Sequence, residues 1–283
     1  QDGVSPDTFG RIARFCGALS HVGAGFDAAR GRTDGPIRVW LESDGPADCE
    51  TTGRDIVVRG ANGPRSALEW MRQLAHEWGH AVVPGVGGFR EPEPWANGDL
   101  GERLFLPALA REGLNAAWDQ PADVASYEVR YVRPLIEAFA RSGPVPTLVA
   151  DTSRKGYDHF LGAALYIAAT YGAETLAEAL GSMAGGRSSD FVDAIPEVLR
   201  TRRTVIATRR DGAGGPRPVC IPVTGVHILN GSGVRVAGKP VAGPVPLPAG
   251  WTMVEWTGTL SVTPQTGGRS ISATLRSRAL ESE

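Results

Sequence analysis

The stretch Ser66-Ala67-Leu68-Glu69-Trp70-Met71-Arg72-Gln73-Leu74-Ala75-His76-Glu77-Trp78-Gly79-His80-Ala81-Val82 decides how the chain reads. Ser66 and Glu69 have the spacing of a capping box, in which two amides orphaned at a helix start find side-chain partners. Leu68, Met71, Ala75, Trp78 and Val82 then recur at helical intervals and make one apolar stripe. Pro84-Gly85 closes the run, because proline cannot continue a helix. The stretch is therefore expected to be a well-capped amphipathic helix that ends before Pro84.

Inside it lies His76-Glu77-Trp78-Gly79-His80, an H-E-x-x-H motif. Two histidines four residues apart share one helix face, one turn from each other. That spacing lets both imidazoles meet one metal ion and lets the intervening Glu reach a water beside it. With 5 His and 16 Glu among 283 residues, chance alone gives the pattern in roughly one such chain in two hundred, so the context must decide. The context agrees: a capped helix, a short strand before it and a Gly/Pro-rich loop over 84–97 after it. Gly79, inside the motif, would let another element approach closely.

Working outward, residues 5–19 read as a helix opened by Ser5-Pro6-Asp7. Alternation predicts strands over 37–41 and Asp55–Arg59, the second closed by a turn at 60–64. Further helices are expected near 99–112, 123–141, 157–184 and 189–201. Beyond about residue 203 the helical pattern stops. Short alternating runs predict strands at 219–223, 226–229, 234–237, 252–256 and 259–263, and 210–216 reads as a linker. The fold class expected is α+β over 1–208, followed by a small all-β domain over 216–283 with the turn spacing of an Ig-like sandwich.

Composition narrows the function. The chain is 42% hydrophobic and 21% charged, with a net charge of −2. No basic excess points to nucleic acid or an anionic membrane surface, and no apolar run is long enough to span a bilayer. Cys16, Cys49 and Cys220 are an odd set. In an exported protein they suggest a Cys16–Cys49 disulfide and a spare thiol; the alternative is three buried reduced thiols. The chain opens polar at Gln1-Asp2-Gly3 with no visible leader. A secreted or periplasmic monomer whose leader has been removed is the expectation.

Over about 66–105, and more weakly to about 200, the sequence resembles the HExxH zinc peptidases, the zincins. The resemblance implies a zincin-like catalytic domain with a mainly helical C-terminal half. It implies one Zn²⁺ on His76 and His80, and Glu77 as general base and acid. It also implies a sheet edge before the helix that pairs with extended substrate, a place Asp55–Arg59 would hold. Val83 and Val86 stand where the H-x-x-G-x-x-H form needs Gly and His, and the other histidines, His21, His159 and His227, lack that spacing. A carboxylate third ligand is expected instead. Glu91 and Glu93 lie among prolines in an extended loop and rank behind two residues of the next helix.

Asp99 follows His80 with eighteen residues between them. That is similar to the third-ligand spacing of aminopeptidase-like gluzincins, and Gly98-Asp99-Leu100 with Leu104-Phe105 resembles enhancin-type and mucin-degrading zinc peptidases. Both families use Glu at that place, so Asp99 requires a closer helix, which Gly98 and Gly101 permit. Glu102, on the same face, is the rival, and either acid could instead orient a ligand histidine. The run Gly156-Tyr157-Asp158-His159 resembles the oxyanion-stabilising helix of the same families, with Tyr157 first and His159 second. Substrates implied are extracellular proteins, including O-glycoproteins, cut as an endopeptidase because no G-x-M-E-N motif precedes the helix. The alternative is a zincin scaffold that binds without catalysis, against which the intact Glu77 argues.

Overall fold

A computed structural model describes residues 3–31, 35–114, 121–141 and 153–202, and beyond them the strand residues 219–223, 227–236, 239–240, 245–247, 250–266, 269–270 and 273–275. Helix α1 (Pro6–Ala29) starts where Ser5 Oγ accepts the Thr8 amide at 3.1 Å. Ile12, Phe15, Leu19 and Phe26 enter the core. The helix runs past the expected 5–19 despite two glycines, Gly23 and Gly25, in its second half. Gly23 shows why: its bare Cα faces Trp78, Val82 and Phe105, so close packing outweighs the weak propensity.

Strands β1 (Arg38–Leu41), β2 (Asp48–Thr52) and β3 (Asp55–Arg59) form a sheet in the order β1-β3-β2. β3 runs parallel to β1 and antiparallel to β2, with Arg38 opposite Asp55 and Asp48 opposite Arg59. Ile56 and Val58 of β3 are fully buried. β2 has no counterpart in the sequence reading. Its residues, Asp-Cys-Glu-Thr-Thr, lack apolar alternation, because as an edge strand it is only half-buried on alternate residues. This also corrects the expected substrate edge: β3 is the central strand, and the edges are β1 and β2.

Helix α2 (Ala67–Val82) forms as its spacing predicts. The Glu69 amide donates to Ser66 Oγ at 3.2 Å, and the Ser66 amide donates to Glu69 Oε2 at 2.7 Å. Trp70, Met71, Leu74, Ala75 and Trp78 are buried along one side. Helix α3 (Asn97–Arg111) lies against it at unusually short range. A Cβ on Gly79 would be 2.5 Å from the Asn97 carbonyl oxygen, and one on Gly101 would run into the Gly79 Cα. The approach that Gly79 and Gly101 suggested is thus present, and it brings the start of α3 to the histidine face of α2.

α4 (Pro121–Tyr127), a π-helical turn (Glu128–Val132) and α5 (Arg133–Arg141) follow in the region expected as one helix over 123–141. The expected 157–184 helix is two, α6 (Arg154–Tyr171) and α7 (Ala173–Gly181). Gly172 divides them with a φ of 95°, a backbone state that side chains rarely adopt. α8 (Ser188–Arg202) completes the helical part. Among the described residues, Tyr127, Phe139, Tyr157, Phe160 and Phe191 are fully buried aromatics of α4 to α8.

Strands β4 (Val219–Val223), β5 (His227–Val236), β6 (Lys239–Pro240), β7 (Val245–Leu247), β8 (Gly250–Thr266), β9 (Arg269–Ser270) and β10 (Ala273–Leu275) pair as an antiparallel sheet built on β5 and β8. Each of those two long strands replaces a pair of short ones expected from the sequence. The chain is thus mixed helix and strand, as expected of α+β. The linker expected over 210–216 lies outside the described residues. Cys16 and Cys49, the expected disulfide pair, are both free thiols. Burial pushes the pKa of each up to about 12, and Cys49 Sγ faces Gln73 Oε1 at 3.9 Å. Among the described residues no helix is long and apolar enough to cross a membrane.

Candidate metal centre

The α2 helix sets His76 and His80 on one face, with their Nε2 atoms 3.1 Å apart and their rings nearly perpendicular. The tautomer of His80 follows from its neighbour. Asn97 Nδ2 donates to the His80 and Val83 carbonyl oxygens, each at 3.3 Å, which turns Asn97 Oδ1 toward the imidazole. Oδ1 only accepts, so His80 Nδ1 donates to it at 3.0 Å. The His80 Nε2 lone pair is left facing His76.

The third group comes from the loop between α2 and α3. Glu93 Oε2 lies 3.4 Å from His76 Nε2 and 3.4 Å from His80 Nε2. The loop is pinned on both sides of this residue: the Ala96 amide donates to Val86 O at 2.8 Å, and the Gly87 amide donates to Gly186 O at 2.7 Å. Ligand atoms about 2.0–2.1 Å from one zinc ion at tetrahedral angles lie about 3.3–3.4 Å apart. Separations of 3.1, 3.4 and 3.4 Å match that requirement. Two imidazoles and a carboxylate are also the donor chemistry that zinc takes. His76, His80 and Glu93 therefore form an arrangement that could hold a metal ion.

Asp99 and Glu102 stand on the other side of His76. Asp99 Oδ1 is 3.7 Å and Glu102 Oε2 3.8 Å from its Nδ1. Carboxylates there favour a proton on Nδ1 and free Nε2 for a cation. These three residues also bring ligand atoms together, but both acids already have cationic partners. Arg103 Nη1 donates to Asp99 Oδ1 at 2.5 Å, and Arg72 Nε donates to Glu102 Oε1 at 2.7 Å. Tyr127 adds a third bond, its hydroxyl donating to Glu102 Oε1 at 2.7 Å. The structure thus sets Glu93 at the two Nε2 atoms, and Asp99 and Glu102 behind His76.

Electrostatics marks the same place. Burial pushes the Glu93 carboxyl up, but bonds from His76 and His80 hold it down at about 2. Burial likewise opposes ionised Asp99, yet His76 and Arg103 hold it well below the usual carboxylate range. Burial lowers the His76 pKa, while Asp99 and Glu93 raise it more, to about 10. So much converging negative charge is what a cation would neutralise. Glu77 behaves differently: burial raises its pKa, against the lowering effects of Thr51 and the two histidines. Thr51 of β2 donates to Glu77 Oε2 at 2.6 Å.

Tyr157, near the start of α6, is at the site. Its hydroxyl is 2.8 Å from Glu93 Oε1 and 3.0 Å from Asp99 Oδ2. His159 is half-buried, with its ring 5.2 Å from that of Phe139; no described contact joins it to the histidine pair. Sequence reasoning ranked Glu93 low and did not single out Thr51 or Asn97. One usable signal was present: Glu93 sits between Pro92 and Pro94, and flanking prolines stiffen the backbone that presents it. Trp95 of the same loop is exposed, with its ring against Gly85 and Gly87. No protein-family model matches the chain, and no curated protein or solved structure matches it either.

Proposed function

We propose that the chain is a single-zinc peptidase with His76, His80 and Glu93 as ligands and Glu77 as general base and acid. The observation that carries this reading is the triangle of His76 Nε2, His80 Nε2 and Glu93 Oε2, sides 3.1 to 3.4 Å, on the helix that also bears Glu77. Zinc held by these three residues would supply Lewis acidity toward a water and a peptide carbonyl.

Glu77 does the proton work. Thr51 fixes its Oε2, and among the described residues Oε1 has no recorded partner. Oε1 takes a proton from the attacking water and passes it to the leaving nitrogen. The burial that raises the Glu77 pKa brings it toward the range in which a group can both accept and return a proton. An extended peptide adds to the free edge of β2, the strand that carries Thr51. The substrate class is extracellular protein, including O-glycosylated protein, cut internally, with the C-terminal β strands as an accessory module.

Glu77→Gln tests this reading. At equal zinc content its hydrolysis of casein should fall by about 10²–10⁴, followed by mass spectrometry of the products. Equal hydrolysis by wild type and variant would contradict it. Repeating the assay on a mucin-type glycoprotein with and without its glycans decides the substrate class.

A further inference from the structure

We propose that the Tyr157 hydroxyl positions the metal ligands by closing a ring of contacts through Glu93, His76 and Asp99. This rests on Glu93 as a ligand. Each member uses one atom toward each neighbour. Glu93 Oε2 is 3.4 Å from His76 Nε2, and Asp99 Oδ1 is 3.7 Å from His76 Nδ1. The free oxygens of the two acids, Glu93 Oε1 and Asp99 Oδ2, meet at Tyr157, 2.8 and 3.0 Å from its hydroxyl.

The ring solves two problems of this site. Glu93 comes from a loop, whereas both histidines come from one helix, so Glu93 needs an outside anchor to keep its angle. Tyr157 provides it from α6, a third element. Its own side chain is fully buried, with the Phe89 ring packed edge-on at 5.1 Å, so the hydroxyl has little freedom to swing. The second problem is repulsion between two ionised, largely buried carboxylates. A hydroxyl hydrogen between them relieves it, donated to one acid at a time.

The same contacts argue against Tyr157 as oxyanion donor. Its hydroxyl sits on the Glu93 oxygen that does not face the imidazoles, and its single hydrogen is committed to carboxylates. Losing it should loosen the ligands before it slows the chemistry.

The test uses the full chain, stripped of metal, with zinc affinity read by competition against a chromophoric chelator. Tyr157→Phe should weaken zinc binding roughly 10–100-fold, and kcat at saturating zinc should fall by a smaller factor. Asp99→Asn breaks the ring at another link and should weaken binding too. The double variant should lose less than the product of the two single losses, since both break one unit. Wild-type zinc affinity in Tyr157→Phe overturns the proposal, as does strict additivity in the double variant. If Tyr157→Phe does not fold, wild-type affinity in Asp99→Asn overturns it alone. Glu93→Gln separates the two readings: if it binds zinc like the wild type, the ligand assignment fails, whatever Tyr157→Phe does.

Discussion

Gly98 occupies a point where a side chain has no room. A Cβ there would press on His80 Nε2 and lie 2.6 Å from His76 Nε2, inside the space the two nitrogens need for a shared ion. Gly98→Ala should therefore bind less than a tenth of the wild type's zinc after dialysis, by elemental analysis. Its thermal unfolding should shift only as overpacking by one methyl requires, about 1–3 kcal/mol. At this scale the motif was legible, because His76, Glu77 and His80 depend only on helix periodicity. Glu93 was not, because the direction of a loop carboxylate depends on how the loop is anchored. That anchoring runs through Val86 in the same loop and through Gly186 and Tyr157, remote in sequence. Asn97 and Thr51 were hidden for the same reason: each acts through tertiary contacts that no local pattern encodes.

Elements were legible where pattern and packing agree. β3 has the residues its alternation predicts, and α2 begins at its capping box and ends before Pro84. Ser66→Ala should cost about 0.5–2 kcal/mol, read as a lower urea midpoint. The other half of the box depends on pH. The Ser66 amide bond holds the Glu69 carboxyl below its ordinary value. A lowered folded pKa gives stability that is present above the unfolded pKa, about 4.3, and lost as pH falls through the folded value. Glu69→Gln should thus be less stable than wild type at neutral pH, with the gap closing in acid. Elements were missed where context overrides pattern. β2 is polar because it lies at an edge, and the α6–α7 helix is broken by one glycine whose φ no periodicity reveals.

Among the described residues, helices and a small three-stranded sheet come first in the chain, and an antiparallel sheet of seven strands follows. In the sequence, helical spacing gives way to alternation near residue 203. The covalent link expected between Cys16 and Cys49 is absent. Noncovalent packing holds that region instead: Phe15 and Leu19 of α1, Ile56 and Val58 of β3, and Met71 and Leu74 of α2 belong to one buried core. That core fixes α2 and α3 face to face and leaves the loop between them to deliver Glu93 to the histidines. Zinc bound per chain, measured by elemental analysis after dialysis of the intact protein, tests this account most directly. One zinc per chain in the wild type and in Glu102→Gln, with loss in Glu93→Gln, is the predicted result. One zinc per chain retained in Glu93→Gln and lost in Glu102→Gln would contradict it.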